Sequence, residues 1–299
     1  MKINSASEYY KKRFGTKVYR LSLSAASTCP NRDGKVSFGG CTFCSQGGSG
    51  DFAETDEDVL LQIEKAKSRV DAKFPSKIKS QDRKYIAYFQ SFTNTYGPLD
   101  KLEKIFTTAA SQKEICALSI GTRPDCLGPE VLEMLKKVNS IKPVTVELGL
   151  QTIHQKTADA VNRGYDLKVF EKAYKDLKDI DIEVIVHVIL GLPGEGEKEM
   201  LETISYLSHL RPVLDGIKIQ LLQVLEGTAM GEEFKKNPFK IYSMEEYCSL
   251  VIKCLKLLPP ETVIHRMTGD GPKRILIEPA WSGDKKRVLN YLNKLIAQS

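Results

Sequence analysis

The chain has 299 residues, 41% of them hydrophobic and 27% charged, with a formal net charge of +6. That length gives one large domain or two ordinary ones with a core that needs no disulfide staples. No apolar run nears the ~18–20 residues that span a bilayer, which excludes a membrane-spanning helical protein. The opening Met1-Lys2-Ile3-Asn4-Ser5 lacks the apolar stretch of a secretory signal, so a cytoplasmic location with reduced thiols and no membrane partner is expected.

Residues 18–24 alternate like a strand and run into a loop over 25–50 rich in Gly, Ser and Cys. An amphipathic helix follows over 56–70, then a strand at 84–90 and a helix at 99–111. A third strand at 115–120 leads into a helix at 130–138, and a fourth strand lies at 144–149. Helical patterns at 155–161 and 167–177 precede a strand at 182–190, a helix at 198–210 and a sixth strand at 216–221. Strands alternating with helices predict βαβ units and a parallel sheet. Right-handed crossovers curl such a series, and six units rather than the eight of a closed barrel suit a partial one.

Beyond residue 223 the pattern changes. Residues 244–258 read as a helix, 262–267 as a short strand and 285–297 as a basic helix. The expected organisation is an α/β core over 1–223 and a short α+β extension over 224–299 packed on it.

Seven cysteines, an odd number without a regular framework, suit metal binding or burial better than disulfides. Three of them, Cys29, Cys41 and Cys44, form a Cys-x11-Cys-x2-Cys string directly after the first strand. Thiolates are soft ligands for zinc or iron–sulfur centres, and glycines 34, 39, 40, 47, 48 and 50 let the loop fold tightly. A structural zinc site normally has four ligands, yet the first histidine in the chain is His154. A cluster with three protein ligands keeps one iron open. A zinc knuckle completed from afar, or a thiol loop without metal, would use the same residues.

Several strands carry polar residues that packing does not explain. Glu147 interrupts Val-Thr-Val-Glu-Leu-Gly, and His187 interrupts Val-Ile-Val-His-Val-Ile-Leu. Lys218 and Gln220 share one face of the sixth strand by period-two alternation. Buried charges must be paired, ligand-bound or wet. Glu147 and Lys218 suit a cross-barrel pair or a functional role equally, and His187 suits a hydrogen-bonded core position or a ligand contact. Cys116, Cys248 and Cys254 read as buried apolar-like residues, while Cys126 follows a turn that could face a pocket.

The string Cys29-Pro-Asn-Arg-Asp-Gly, closed by Gly-Gly-Cys41-Thr-Phe-Cys44, resembles the radical S-adenosylmethionine (SAM) superfamily. Its long cysteine spacing is similar to that of the YhcC/MnmL-type members, relatives of the Elongator catalytic subunit. Ala87-Tyr-Phe-Gln-Ser-Phe-Thr93, Gly121-Thr-Arg-Pro-Asp-Cys126, Glu147-Leu-Gly-Leu-Gln-Thr152, Asn162-Arg-Gly164, Gly191-Leu-Pro-Gly-Glu195 and His265-Arg266 carry the likeness through the chain. The resemblance implies a radical SAM partial (β/α)6 TIM-like barrel, with a 4Fe–4S cluster on Cys29, Cys41 and Cys44 that cleaves SAM to a 5′-deoxyadenosyl radical. It places Phe43 on the adenine, Gln90 and Thr93, with Thr95, at the methionyl amino group, and Gln151 and His187 at the ribose. Arg163 would meet the methionyl carboxylate, and Gly191 and Gly194 would admit the adenine.

Glu147, Lys218 and His265 or Arg266 are the candidates for substrate contact and catalysis. An electron donor such as flavodoxin or ferredoxin is implied. The implied substrate is tRNA, with remodelling of the C5 side chain of a wobble uridine, carboxymethyl removal being one such reaction. The positive balance and the tail Lys285-Lys286-Arg287 agree with a polyanionic partner. Two other readings use the same residues: a radical SAM enzyme acting on a small molecule, such as an oxidative decarboxylase, and a non-catalytic metal-containing nucleic-acid-binding protein.

Overall fold

The computed structural model describes residues 1–48, 50–269 and 271–299. The chain begins with β1 (Asn4–Ser5), α1 (Ala6–Phe14) and β2 (Val18–Leu23), and continues through α2 (Val59–Val70), β3 (Lys84–Phe89), α3 (Leu99–Ala110) and β4 (Ile115–Thr122). Next come α4 (Pro129–Ile141), β5 (Val144–Gln151), α5 (Gln155–Ala160), α6 (Leu167–Asp179), β6 (Glu183–Leu190), α7 (Glu197–Ser208) and β7 (Gly216–Leu221). The remainder holds β8 (Val224–Leu225), α8 (Ala229–Lys236), α9 (Met244–Leu257), β9 (Val263–Arg266), β10 (Leu276–Glu278) and α10 (Lys285–Gln298).

β2 to β7 lie side by side in chain order, all parallel, as the alternation of strands and helices requires. One face of each strand is apolar. Leu118, Ile120, Val146, Leu148, Val184, Val186, Ile217 and Ile219 are buried against Phe106, Leu135, Phe170 and Ile204 of the covering helices. Burying one such side chain contributes about 1.5–3 kcal/mol, which fixes the register of every strand. The helices start where capping chemistry allows. Asp166 caps α6 through Val169 N, and Ser243 with Glu246 forms a capping box on α9.

The sheet does not stop at β7. β9 pairs parallel with β7, and β1 pairs with the far side of β9, so β1 and β2 are the two edges. The C-terminal segment thus returns to the main sheet, rather than only packing on its outside.

The opposite strand faces point into a curl. Lys218 Nζ on β7 donates to the Tyr88 hydroxyl on β3 at 2.9 Å, and Arg20 on β2 reaches His265 Nδ1 on β9 at 3.0 Å. Strands so far apart in the sheet can meet only across a half-barrel. Helix α1 plugs its lower end: Tyr10 packs on Ile86 and Ala117, and Tyr9 donates to Glu183 at the start of β6 at 2.6 Å.

Candidate active site

The strands open at their C-terminal ends into a cavity of about 400 Å³. Gln90 after β3, Thr122 on β4, Gln151 on β5, Ile189 on β6 and Gln220 on β7 bound it, and the cysteine loop overhangs it with Cys29, Cys41 and Cys44. Parallel barrels place their chemistry at this end because loops from every strand converge there.

The loop is stitched in place along its length. Arg32 donates to the carbonyls of Ser45 and Gln46 and lies over the Phe92 ring at 5.5 Å. Thr42 N donates to Val161 O at 3.0 Å, and Met230 N to Thr42 O at 2.9 Å. Gly50 presses on the turn after β3, where a Cβ would lie 2.0 Å from Ser91 Oγ, so no side chain fits. The thiols are mutual neighbours. The hydrogen bond with Cys44, burial, and the charges of Cys44 and Cys29 push the Cys41 thiol well above its ordinary range, while Arg123 pulls it down. None of the seven cysteines forms a disulfide.

Beneath the cavity lies a polar lumen centred on Glu147. Its carboxylate accepts from Ser119 Oγ at 2.9 Å, from His187 Nε2 at 2.9 Å and from Lys218 Nζ, with Arg20 Nη1 at 3.4 Å. Burial alone would raise the Glu147 carboxyl, but Lys218 and Arg20 beside it, then His187, hold it well below its usual range. Burial and the neighbouring arginines work against the Lys218 ammonium and Glu147 works for it. We take the pair as charged because Nζ rests on a carboxylate that Arg20 already ionises. Burial and then Lys218 lower His187 to about 4, so its ring is neutral at pH 7. With Nε2–H committed to Glu147, Nδ1 is the ring nitrogen left to accept.

Of the residues singled out from sequence, the three cysteines, Phe43, Gln90, Thr93, Glu147, Gln151, Arg163, His187 and Arg266 all border the cavity. Phe43 rests on Val161, Ile189, Leu192, Leu222 and Met230, an apolar seat. Gln151 has a left-handed φ of 64° beside a bulge in β5, and its Oε1 accepts from Tyr165 OH at 3.1 Å.

Other expected residues lie elsewhere. Lys218 is 0% exposed beneath the cavity floor. His265 belongs to the other end of the lumen. It borders a smaller cavity of about 210 Å³ with Tyr10, Thr145 and Glu183, so it is not placed for substrate contact with Arg266. Arg20 must donate to His265 Nδ1, and burial and that cation hold the ring neutral. Gly191 and Gly194 have φ of 92° and 88° but do not border the main cavity. Thr95 is spent on Thr122 Oγ1 at 2.5 Å and Cys126 O at 2.7 Å. Cys126 also lies outside the cavity lining, and Cys248 and Cys254 are fully buried.

Arg163 carries the main correction. Its side chain borders the cavity, yet the residue is 1% exposed and all five N–H donors have acceptors within the protein. The carbonyls of Leu150, Thr152 and Tyr165 take most of them, at 2.6–3.0 Å. That geometry locks the turn after α5 and leaves the charge unaimed at a ligand carboxylate. Sequence reasoning missed Arg123, which borders the cavity, bonds Asp125 through two nitrogens and stacks 4.9 Å from the Tyr165 ring. Its motif, Gly121-Thr-Arg-Pro-Asp, was the available signal.

Among the described residues no group of three or more His, Cys, Asp or Glu gathers closely enough for a single metal ion. Three soft thiols lining one cavity fit an iron–sulfur cluster, which spreads its thiolate corners more widely than a single ion does.

A half-barrel with a three-cysteine loop at its C-terminal mouth defines a class, and sequence comparison names it. A profile described as "Radical SAM superfamily" matches residues 26–207, and one described as "Radical_SAM C-terminal domain" matches residues 214–298. The chain belongs to the radical SAM superfamily, whose members use a 4Fe–4S cluster and SAM, and within it to the YhcC type. It is 41% identical over 287 residues to the uncharacterized protein YtqA of Bacillus subtilis, covering 96% of this chain and 87% of that one. With YhcC of Escherichia coli the identity is 32% over 271 residues, covering 90% and 84%. A tRNA uridine(34) acetyltransferase of Methanocaldococcus jannaschii is 30% identical over 197 residues, 65% of this chain and 34% of that protein. The fold matches the archaeal Elp3 of Methanocaldococcus infernus with a TM-score of 0.68 at 20% identity, over 93% of this chain and 63% of that one.

Proposed function

We propose that this radical SAM enzyme remodels the C5 side chain of a wobble uridine in tRNA, with removal of a carboxymethyl group as one such reaction, and that Cys29, Cys41 and Cys44 hold its cluster. The observation that carries the chemistry is that all three thiols line one cavity together with Gln90, Thr122, Gln151 and Gln220 from the strand ends. When bound and reduced, the cluster supplies the electron that cleaves SAM to methionine and a 5′-deoxyadenosyl radical, which takes hydrogen from the substrate.

The chain's own residues bind, orient and exclude water. Phe43, on its apolar seat, takes the adenine, and Gln90 and Thr93 accept from the methionyl ammonium. Gln151 and the His187 Nδ1 lone pair serve the ribose hydroxyls. Arg266, whose Nη1 donates to Gln220 Oε1 at 3.1 Å, is the proposed substrate contact. Glu147 and Lys218 hold His187 in one tautomer, and flavodoxin or ferredoxin is the proposed reductant.

The tRNA substrate is supported by the likeness to a tRNA uridine(34) acetyltransferase, of which this chain spans about a third, and by the net charge of +6. Mass spectrometry of tRNA nucleosides from cells with and without the gene tests it. A changed C5 substituent at the wobble position is expected. An unchanged wobble-uridine profile overturns the tRNA assignment.

A further inference from the structure

Two sequence strings far apart in the chain, Cys29-Pro-Asn31 and Asn162-Arg-Gly164, meet beside the cavity through one amide. Asn31 is 0% exposed. Its Nδ2 donates to the carbonyl of Asn162 and lies 3.6 Å from Cys41 Sγ, within reach of an N–H···S bond. A carboxamide nitrogen has two hydrogens, and both are thereby allotted. The Asn31 backbone carbonyl accepts from Gly40 N at 2.7 Å, one residue before the thiol.

The far side of the contact is built to receive that amide. Asn162 takes a left-handed φ of 54° and donates from Nδ2 to Gly40 O at 2.8 Å. Gly164 has a φ of 82°, and a Cβ there would lie 2.7 Å from Asn31 Oδ1. Any other residue at 164 would push the amide away. Between them Arg163 is locked by five hydrogen bonds to four acceptors, so the turn cannot drift from Asn31.

We propose that Asn31 is a positioning residue that tunes the reduction potential of the iron–sulfur cluster through an N–H···S bond to Cys41, with Asn162 and Gly164 holding its amide. The proposal rests on Cys41 being a cluster ligand. Adding one electron to the cluster raises the negative charge on its thiolate sulfurs. A donor aimed at sulfur stabilises the reduced form more than the oxidised one and so raises the potential. No water competes at a fully buried amide, which strengthens the effect.

The test is an EPR-monitored redox titration of the anaerobically reconstituted full chain. Asn31→Leu keeps the volume and removes both donors. At a fixed poise its reduced-to-oxidised ratio is expected to fall about tenfold, a shift of about 59 mV to more negative potential for a one-electron couple. Asn162→Gly keeps the left-handed backbone and the carbonyl but removes the brace to Gly40. It is expected to lose its cluster faster at an unchanged potential.

A loaded Asn31→Leu protein with the parent potential overturns the proposal. Should that variant hold no cluster, the unaltered protein decides. With isotope-labelled nitrogen confined to asparagine side chains, pulsed EPR of the reduced cluster is expected to show a weak nitrogen coupling, and its absence overturns the proposal. Unaltered protein that takes up no cluster overturns the ligand assignment and this proposal with it, whereas an unchanged potential overturns this proposal alone.

Discussion

The carboxylate of Glu147 on β5 and the ammonium of Lys218 on β7 meet inside the half-barrel with neither side chain exposed to solvent. Arg20 from β2, Tyr88 from β3, Ser119 from β4 and His187 from β6 complete the cluster, so six strands are tied through one charged centre. A buried pair of this kind adds little net stability when intact but is costly to break, because the surviving charge is left without a partner.

The two partners are not equivalent. Glu147→Gln leaves Lys218 and Arg20 facing each other without an anion and is expected to cost about 3–5 kcal/mol in urea unfolding. Lys218→Met leaves Glu147 paired with Arg20 and is expected to cost roughly half as much. The double variant is expected to be more stable than Glu147→Gln alone. Equal losses in the two single variants, adding in the double, would show that the charges are not coupled.

Acid stability follows from His187. Its folded-state value, lowered from 6.5 to about 4, means that the unfolded chain binds the proton more tightly. Stability is therefore full above pH 6.5 and falls as the pH drops toward 4. His265, also buried neutral, adds to the same acid limb. In urea midpoints measured across this range, His187→Gln is expected to flatten the slope and the double variant with His265→Gln to flatten it further. A slope untouched by either change would contradict this assignment.

Arg163 separates an architectural role from a ligand contact. Arg163→Lys cannot reproduce the planar fork that serves the carbonyls of Leu150, Thr152 and Tyr165. A loss of about 3 kcal/mol in the SAM-free protein is expected, at about 1–3 kcal/mol for each buried carbonyl left without its donor. Unchanged stability together with weaker SAM binding would restore the carboxylate role suggested by resemblance.

Much of this was legible in the sequence. The apolar runs of β3 to β7 and the Cys29–Cys44 spacing gave strands, order and thiols directly, because hydrophobic periodicity and ligand spacing are local signals. Glu147, His187 and Lys218 were visible as polar breaks in greasy strands, though not as one network, since their partnership depends on the curl. Helix α1 was missed. It carries little apolar face, yet Ser5 with Glu8 three residues on is a helix-start signature that could have flagged it. The short β9 gave no sign of joining the main sheet, and its irregular register with β7 sends the neighbours His265 and Arg266 to opposite ends of the lumen. Arg163 could not be read correctly because its acceptors are backbone carbonyls gathered by a bulge in β5.

The most direct measurement is anaerobic iron–sulfur reconstitution followed by reduction in the presence of SAM. The parent chain is expected to show the absorption and EPR signature of a 4Fe–4S cluster and to release 5′-deoxyadenosine, and Cys29→Ala, Cys41→Ala and Cys44→Ala are each expected to abolish both. Variants that load and cleave SAM as the parent does would contradict the account.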